Sequence, residues 1–281
     1  MATLGCESNL VRRDTVGIRG NGIKSHLPVA STSATTAVRS RVGNPATRFQ
    51  SFGPEGRRNN TMTETYYKVL NEDGSCFHGG IGTWHLPTAN KPGKWMPRIE
   101  GSLELRKNGY HILRTDQLVL WLGPAIFTVE PKGEIVHDTE KSVCKQARLL
   151  TRLTAWNDRT ARLFGADCAE HVLTIYQRLY PGDTRPEQAI KAIRDYANGT
   201  ITADELAALA RTADELAALT AWTLDAPFPA AWTAARAAAW ASARTSDAAS
   251  AQAAATKERN WQTELLLRYL QPGGAEKREE I

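Results

Sequence analysis

The spacing of apolar residues changes near Thr154 and divides the chain into two regions. Before this point, short apolar runs are separated by turn residues, a pattern that predicts strands. After it, apolar residues recur at intervals of three and four, a pattern that predicts helices. The sequence therefore predicts an α+β fold, with a small β-rich module over residues 62–153 and an all-α, alanine-rich helical bundle over residues 154–271.

Turn residues bound the predicted strands of the β-rich module. Asn108-Gly109 is a strong hairpin signal, so residues 101–105 are expected to pair with residues 110–113. Thr115 can cap a short helix over residues 116–122, which Gly123-Pro124 ends. The other predicted strands cover residues 66–70, 125–129, 134–137 and 143–150.

The helices after Thr154 have clear start and stop signals. Pro186 is suited to the first turn of a helix over residues 187–197, and Asn198-Gly199 is a stop signal. Thr202 and Glu205 form a capping box for the next helix. The remaining predicted helices cover residues 156–164, 166–180 and 258–270.

Alanine dominates residues 203–255, with 24 alanines and three tryptophans. The octapeptide TADELAAL occurs at 202–209 and again at 212–219, which we interpret as a short duplication. Alanine lets helix axes approach closely, so a tight bundle with tryptophans in the wider gaps is expected. The alternative is an exposed face that docks a partner protein. The candidate interaction residues are Asp204, Glu205, Asp214, Glu215, Trp232 and Trp240.

The net charge of +5 comes from the N-terminal arm. Residues 1–61 hold nine basic and three acidic side chains, whereas the rest of the chain holds 26 basic and 27 acidic ones. This balance argues against nucleic-acid binding by the folded part. The arm lacks periodicity and is expected to be disordered, as is the tail over residues 272–281. Arg57-Arg58 lies shortly before Met62, and an Arg-Arg pair can be encoded by AGGAGG, a bacterial ribosome-binding sequence. This suggests that Met62 is the true start and that the arm is a translated leader.

Cysteine usage and hydropathy indicate a soluble protein of the cytoplasm. The four cysteines are widely spaced and form no CxxC pair, which argues against a disulfide scaffold. No apolar run is long enough for a membrane span.

Several residues of the β-rich module are candidates for chemistry. His111 follows a tight turn and could act as a general base near Asp116, with His78 as a further candidate. Cys76, His78 and His85 are candidates for a metal site, although their spacing fits no known zinc pattern. A basic aromatic loop could bind a nucleotide or a nucleic acid strand. The residues of this loop are Lys91, Lys94, Trp95 and Arg98.

The region from residue 154 to about 270 resembles a family of immunity proteins of bacterial toxin systems. The matching motifs are Cys168 with its helix, Tyr180-Pro181-Gly182-Asp183, Arg185-Pro186 with Ala189-Ile190, and Tyr196-Ala197-Asn198-Gly199. The resemblance implies an all-helical protein that binds and neutralises a partner without catalysis of its own.

Residues 62–153 resemble an uncharacterised domain of bacteriophage and bacterial proteins. The motifs are HGGIGTW, PGKWMP, NGYH and WLGPAIF. Arg106 stands where relatives often have a cysteine, and this departure weakens any role that needs a thiol beside His111. No activity is assigned to that domain, so the resemblance implies a shared lineage and no function.

These observations predict a non-enzymatic, cytoplasmic protein of bacterial or phage origin. The bacterium is expected to be an actinobacterium. Its expected partner is a protein such as a toxin, and no cofactor is expected. The alternative is a small enzyme or nucleotide-binding activity in the β-rich module that uses His78 and His111.

Overall fold

The computed structural model describes residues 64–211, 228, 231, 233–238 and 248–276. Several predictions lie outside these residues: the arm over residues 1–61, the second octapeptide copy, and four candidate interaction residues, Asp214, Glu215, Trp232 and Trp240.

Four antiparallel strands form a closed barrel in the order β1-β2-β4-β3. Alternate side chains of these strands point to the interior, where Leu70, Ile112, Phe127 and Leu149 are fully buried. The strands are β1 Tyr66–Leu70, β2 Tyr110–Arg114, β3 Ala125–His137 and β4 Ser142–Arg152.

The third strand is continuous, which corrects the prediction of two strands over residues 125–129 and 134–137. Pro131-Lys132-Gly133 forms a β-bulge, where the register with β4 shifts between Lys132 and Ile135. Gly133 has a φ of 85°, a conformation that glycine adopts at little cost, so the strand bends here without ending.

The hairpin predicted for residues 101–105 and 110–113 was wrong. Only Tyr110–Arg114 is a strand, and a single bridge joins Glu104 to Asn108. The side-chain amide of Asn108 donates to the carbonyl oxygens of Glu100, at 3.1 Å, and Ser102, at 2.8 Å. These local bonds hold residues 100–108 as a folded loop, because asparagine offers the backbone an alternative to a strand ladder.

Six α-helices are described, together with a short 3-10 turn, Val119–Trp121. No helix among the described residues has the length and apolar character needed to cross a membrane. Residues 233–238 are also helical. The helices are α1 Thr115–Leu118, α2 Asp158–His171, α3 Leu173–Leu179, α4 Arg185–Ala197, α5 Ala203–Arg211 and α6 Ala248–Tyr269.

Glycine 165 lies inside α2, which corrects the prediction of a break between residues 164 and 166. A Cβ at Gly165 would lie 3.3 Å from the Cα of Ala231, so the missing side chain lets another helical residue approach the backbone. The break comes later, at Val172, whose φ and ψ of −103° and 3° separate α2 from α3.

Two other helix boundaries also differ from the predictions. The helix predicted over residues 116–122 ends as an α-helix at Leu118, and the backbone N–H of Arg114, not a Thr115 cap, bonds the side chain of Gln117. The final helix begins at Ala248, ten residues before the predicted start at 258.

The predicted ends of α4 and the start of α5 are confirmed. Pro186 lies in the first turn of α4, and Gly199 adopts a φ of 73° after its last turn. The capping box is complete, because Thr202 Oγ1 accepts from the Glu205 N–H at 3.2 Å and Glu205 Oε2 accepts from the Thr202 N–H at 2.7 Å.

One hydrophobic cluster joins the outer face of the barrel to the helices, and the barrel interior forms a separate cluster. Outward-facing strand residues such as Val69 and Leu113 belong to the same buried cluster as Phe164 and Tyr269. Trp156 joins the two regions, because its indole N–H donates to the carbonyl oxygen of Gly123 at 2.8 Å. The fold is therefore α+β, as the sequence predicts: apart from α1 and the 3-10 turn between β2 and β3, the described strands precede the described helices.

Candidate functional site

One pocket on the barrel brings together several residues of candidate chemistry. It is half-open, with a volume of about 50 Å³, which is room for a few water molecules or a small ion. We call it the barrel pocket. Its lining residues are Lys68, Val69, Cys76, Phe77, His78, Gly79, His111, Leu113, Trp121 and Lys141.

Lysine 68 is buried, although lysine usually lies at the surface. In β1 it alternates with Tyr67 and Val69, and so shares a strand face with Tyr66 and Leu70. Its Nζ donates to the carbonyl oxygen of His111 at 2.9 Å and lies 5.1 Å from the ring centre of Trp84. The ammonium group is thus held at the wall of the pocket.

Histidine 111 is buried on β2, and its protonation state follows from its surroundings. Its pKa is lowered to about 3, chiefly by burial and in addition by the positive charges of Lys68, Lys141 and Arg106. Its Nε2 accepts from the backbone N–H of Arg106 at 3.0 Å. The neutral ring therefore carries its proton on Nδ1, which is buried and has no hydrogen-bond partner in the described part of the chain.

Histidine 78 lies in the loop after β1 and is fixed by contacts on two sides. Its Nε2 donates to the carbonyl oxygen of Trp121 at 2.8 Å, and its ring packs edge-on against Phe77 and Trp121. Burial lowers its pKa, as do the charges of Lys68 and Lys141, while hydrogen bonds to the backbone of Trp121 and Leu122 oppose the shift. His78 is therefore held as a neutral ring.

Lysine 141 supplies a second buried ammonium group. Only 4% of the residue is exposed, and its Nζ lies 5.0 Å from the ring centre of Trp121. Trp121 is itself fixed by donation from its indole N–H to the carbonyl oxygen of Glu140 at 2.9 Å. The aromatic face thus steadies the cation at the pocket wall.

The pocket has a positive electrostatic character. Among the residues that the structure describes, its lining contains two lysines and no aspartate or glutamate. The charges of the same two lysines contribute to the lowered pKa of both His78 and His111. The predicted carboxylate partner, Asp116, lies outside the lining and is exposed, with its oxygens bound to Arg114 at 3.1 and 3.2 Å.

The three metal candidates are not brought together. Cys76 and His78 line the barrel pocket, whereas His85 is exposed and outside the lining. Within the described ranges, no group of three or more His, Cys, Asp or Glu side chains is arranged to hold a metal ion.

The basic aromatic loop lies along β4. The backbone N–H groups of Gly93 and Met96 donate to the carbonyl oxygens of Leu149 and Ala147, each at 2.9 Å. Trp95 is covered by cations, with Arg148 at 4.6 Å and Lys132 at 5.5 Å from its ring centre. The three basic side chains of the loop, Lys91, Lys94 and Arg98, are exposed and do not line the barrel pocket.

The described part of the candidate interaction surface lies at the start of α5. Asp204 and Glu205 are exposed, and Glu205 also completes the capping box. Three large apolar residues in the same helical region are exposed as well. They are Leu179 at 65%, Tyr180 at 56% and Leu209 at 51%.

The sequence predicted both histidines of the pocket and missed both lysines. A lysine is usually solvated, so neither was a candidate. For Lys68 a signal was present, because it lies in the apolar strand Tyr66–Leu70 and has the same parity as Tyr66 and Leu70. For Lys141 no local signal distinguishes it from an ordinary turn lysine.

Comparisons with known proteins bear on the helical region. No curated protein and no solved structure matches this chain. The resemblance of residues 62–153 to a phage and bacterial domain stays a prediction, because the family match begins at residue 152. Residues 152–256 match the model of the Imm-5 like putative immunity protein family, which confirms the resemblance of the C-terminal half.

Proposed function

We propose that this protein is an immunity protein whose helical region binds and neutralises a protein toxin, without catalysis of its own. The observation that carries the proposal is the family match over residues 152–256. The expected setting is the bacterial cytoplasm, with the protein encoded by a bacterium or by its phage.

The surface of the helical region supports a protein partner. Leu179, Tyr180 and Leu209 are large apolar side chains exposed within residues 152–256, and a tyrosine such as Tyr180 is a frequent anchor of protein interfaces. Asp204 and Glu205 add negative charge at the same helical region. Because most of the folded chain is near neutral, this local charge would steer a basic toxin surface.

The first experiment is a test of neutralisation. The full chain is co-expressed with the products of its neighbouring genes, each of which is first scored for toxicity to the host. We expect one toxic product to lose its toxicity and to co-purify with the chain. The full chain is required, because the helices share a hydrophobic cluster with the outer face of the barrel. If folded protein neither rescues growth nor binds any toxic neighbour, the proposal fails.

A pair of variants then tests the acidic start of α5. Asp204→Lys reverses an exposed charge and leaves the capping box intact, whereas Glu205→Gln removes a charge and keeps a side chain that can cap. We expect both to slow association with the toxin. The matched control is Glu134→Lys, an exposed acid-to-lysine change in β3 outside residues 152–256. An equal effect of the control would contradict a role for α5.

A further inference from the structure

We propose that a basic patch beside β3 and β4 binds a short, extended, acidic segment of a partner protein. The patch consists of Lys94, Trp95, Arg98, Lys132 and Lys145. All five residues precede residue 152, so the patch lies outside the family match and goes beyond the proposed toxin neutralisation.

The segment that carries Lys94 and Arg98 lies along β4 with a period of three residues. The N–H groups of Gly93, Met96 and Ile99 donate to the carbonyl oxygens of alternate β4 residues, each at 2.9 Å. These three residues are buried, whereas Lys94 and Arg98 are exposed. A repeat of three residues is that of the polyproline II helix, which is extended. The backbone bonds to β4 therefore hold the two basic side chains on an extended ridge.

Contacts around Trp95 and Gly133 bring cations of the strands to the same ridge. Lys132 of β3 has its Nζ 5.5 Å from the ring centre of Trp95. A Cβ atom at Gly133 would lie 3.4 Å from the Cβ of Lys145 and 4.0 Å from Nη1 of Arg98. The bulge in β3 thus gathers one cation from each of three segments.

The four cations of the patch have no acidic partner. None of them forms an ion pair with a described residue, and Lys145 Nζ instead donates to the carbonyl oxygen of Gly101. Their neighbour Arg148 is different, because its Nη2 lies 2.6 Å from Glu130 Oε2. Like charges held together without a counter-charge create a positive potential, which an anionic partner complements.

The surroundings of the patch favour an acidic peptide over a nucleic acid strand. Arg148, at 4.6 Å, and Lys132 already cover the ring of Trp95, so this ring is not an open platform for a base. Glu100 and Glu134 are exposed and adjoin the patch in the sequence. Their charges repel a long chain of phosphates and leave room for a short anionic segment.

The extended ridge also sets the spacing of the carboxylates. Lys94 and Arg98 are separated by about 12 Å along a polyproline II segment. In an extended peptide, side chains about three or four residues apart span a similar distance, at roughly 3.3 Å per residue. A peptide with acidic residues at this spacing can contact both cations at once.

The test uses the full chain and a peptide of repeating Glu-Gly-Ser units that carries an uncharged fluorophore. A peptide of repeating Gln-Gly-Ser units is the neutral control. Fluorescence anisotropy at low ionic strength should show binding of the acidic peptide and not of the neutral one. Added salt should weaken the binding, because exposed charges are screened. If the acidic peptide does not bind the unmodified chain, the proposal fails.

Matched double variants locate the contact. Lys94→Gln combined with Arg98→Gln should weaken peptide binding about five- to tenfold, because each removes one exposed ion pair with the peptide. The control combines Arg178→Gln with Lys257→Gln, two exposed cations of the helical region that form no ion pair with a described residue. It should bind as the unmodified chain does. The arm over residues 1–61 is present in every chain, so it cannot cause a difference between the double variants.

Two further outcomes would overturn the proposal. Equal losses in the two double variants would show that the peptide responds to net charge alone. A single-stranded oligothymidylate is titrated in parallel under the same conditions. If it binds more tightly than the peptide and loses affinity in the Lys94→Gln and Arg98→Gln double variant, the patch is a nucleic-acid site instead.

Discussion

Burial determines the charge state of individual side chains in this protein. His111 stays neutral beside two lysines, because removing an imidazolium from water costs more than any local contact returns. Burial also raises the pKa of Cys144 to about 12 and that of Cys168 well above its ordinary value. Both cysteines are therefore thiols at neutral pH, which fits packing roles and not nucleophilic ones.

The lowered pKa of His111 predicts a loss of stability in mild acid. In the unfolded state the pKa of His111 is near 6.5. Below this pH the unfolded state binds a proton at His111 and the folded state does not, so the contribution of His111 to the free energy of unfolding is full above pH 6.5 and is lost as the pH falls toward 3. Through this residue, the free energy of unfolding should change by up to about 1.4 kcal/mol per pH unit. Urea unfolding between pH 7 and 5 measures it, in a range where few carboxylates titrate.

The control for this effect is His111→Gln, whose amide oxygen can still accept from the Arg106 N–H. This variant should show a clearly shallower slope between pH 6.5 and 5. A residual slope is expected from His78, whose pKa is also lowered by burial. An unchanged slope in His111→Gln would show that the histidine charges freely in the folded protein.

At the scale of elements, one carboxylate, that of Asp167 in α2, joins three helices. Arg194 of α4 binds Asp167 and Glu170 of α2, with distances of 2.7 Å from Nη2 to Asp167 Oδ1 and from Nη1 to Glu170 Oε1. Tyr269 of α6 donates its hydroxyl to the other oxygen of Asp167 at 2.5 Å. The Asp167 carboxylate is thus shared by two helices packed on α2.

Removing Arg194 should destabilise the helical region far more than removing its neighbour Lys191. Arg194→Ala leaves the mostly buried Asp167 short of a charged partner and should cost about 1–3 kcal/mol. Lys191→Ala deletes an exposed ion pair with Asp195 on the same helix and should cost less than about 0.5 kcal/mol. Chemical unfolding of both variants gives the comparison. Equal losses would mean that the α2–α4 network contributes nothing beyond a surface pair.

Local signals predicted the element ends between residues 198 and 202 correctly, but they predicted the continuity of elements poorly. The stop at Gly199 and the capping box at Thr202 depend on neighbouring residues alone, so the sequence is sufficient. Gly133 and Gly165 look like breaks in the sequence, yet each lies inside an element because a partner requires it. The bulge at Gly133 depends on pairing with β4, and the close contact at Gly165 depends on Ala231. Neither partner can be identified from the residues next to the glycine in sequence.

At the scale of the whole molecule, the change in period near Thr154 predicted two regions but not their packing. Periodicity shows which face of an element is apolar and leaves open what that face contacts. The outer faces of β1 and β2 pack in the same cluster as α2 and α6. For the same reason the sequence could nominate His78 and His111 but could not place Lys68 and Lys141 beside them.

The shared cluster predicts that the barrel and helices unfold together. Trp156→Ala removes a fully buried side chain that contacts both regions and should cost about 3–5 kcal/mol. Hydrogen exchange should then report equal losses of protection in β3 and in α2, because one cooperative unit has one opening free energy. Leu149→Ala, inside the barrel, should likewise lower protection in α2, whereas exposed Tyr180→Ala should change neither. Loss of protection confined to the mutated region would establish two independent folding units.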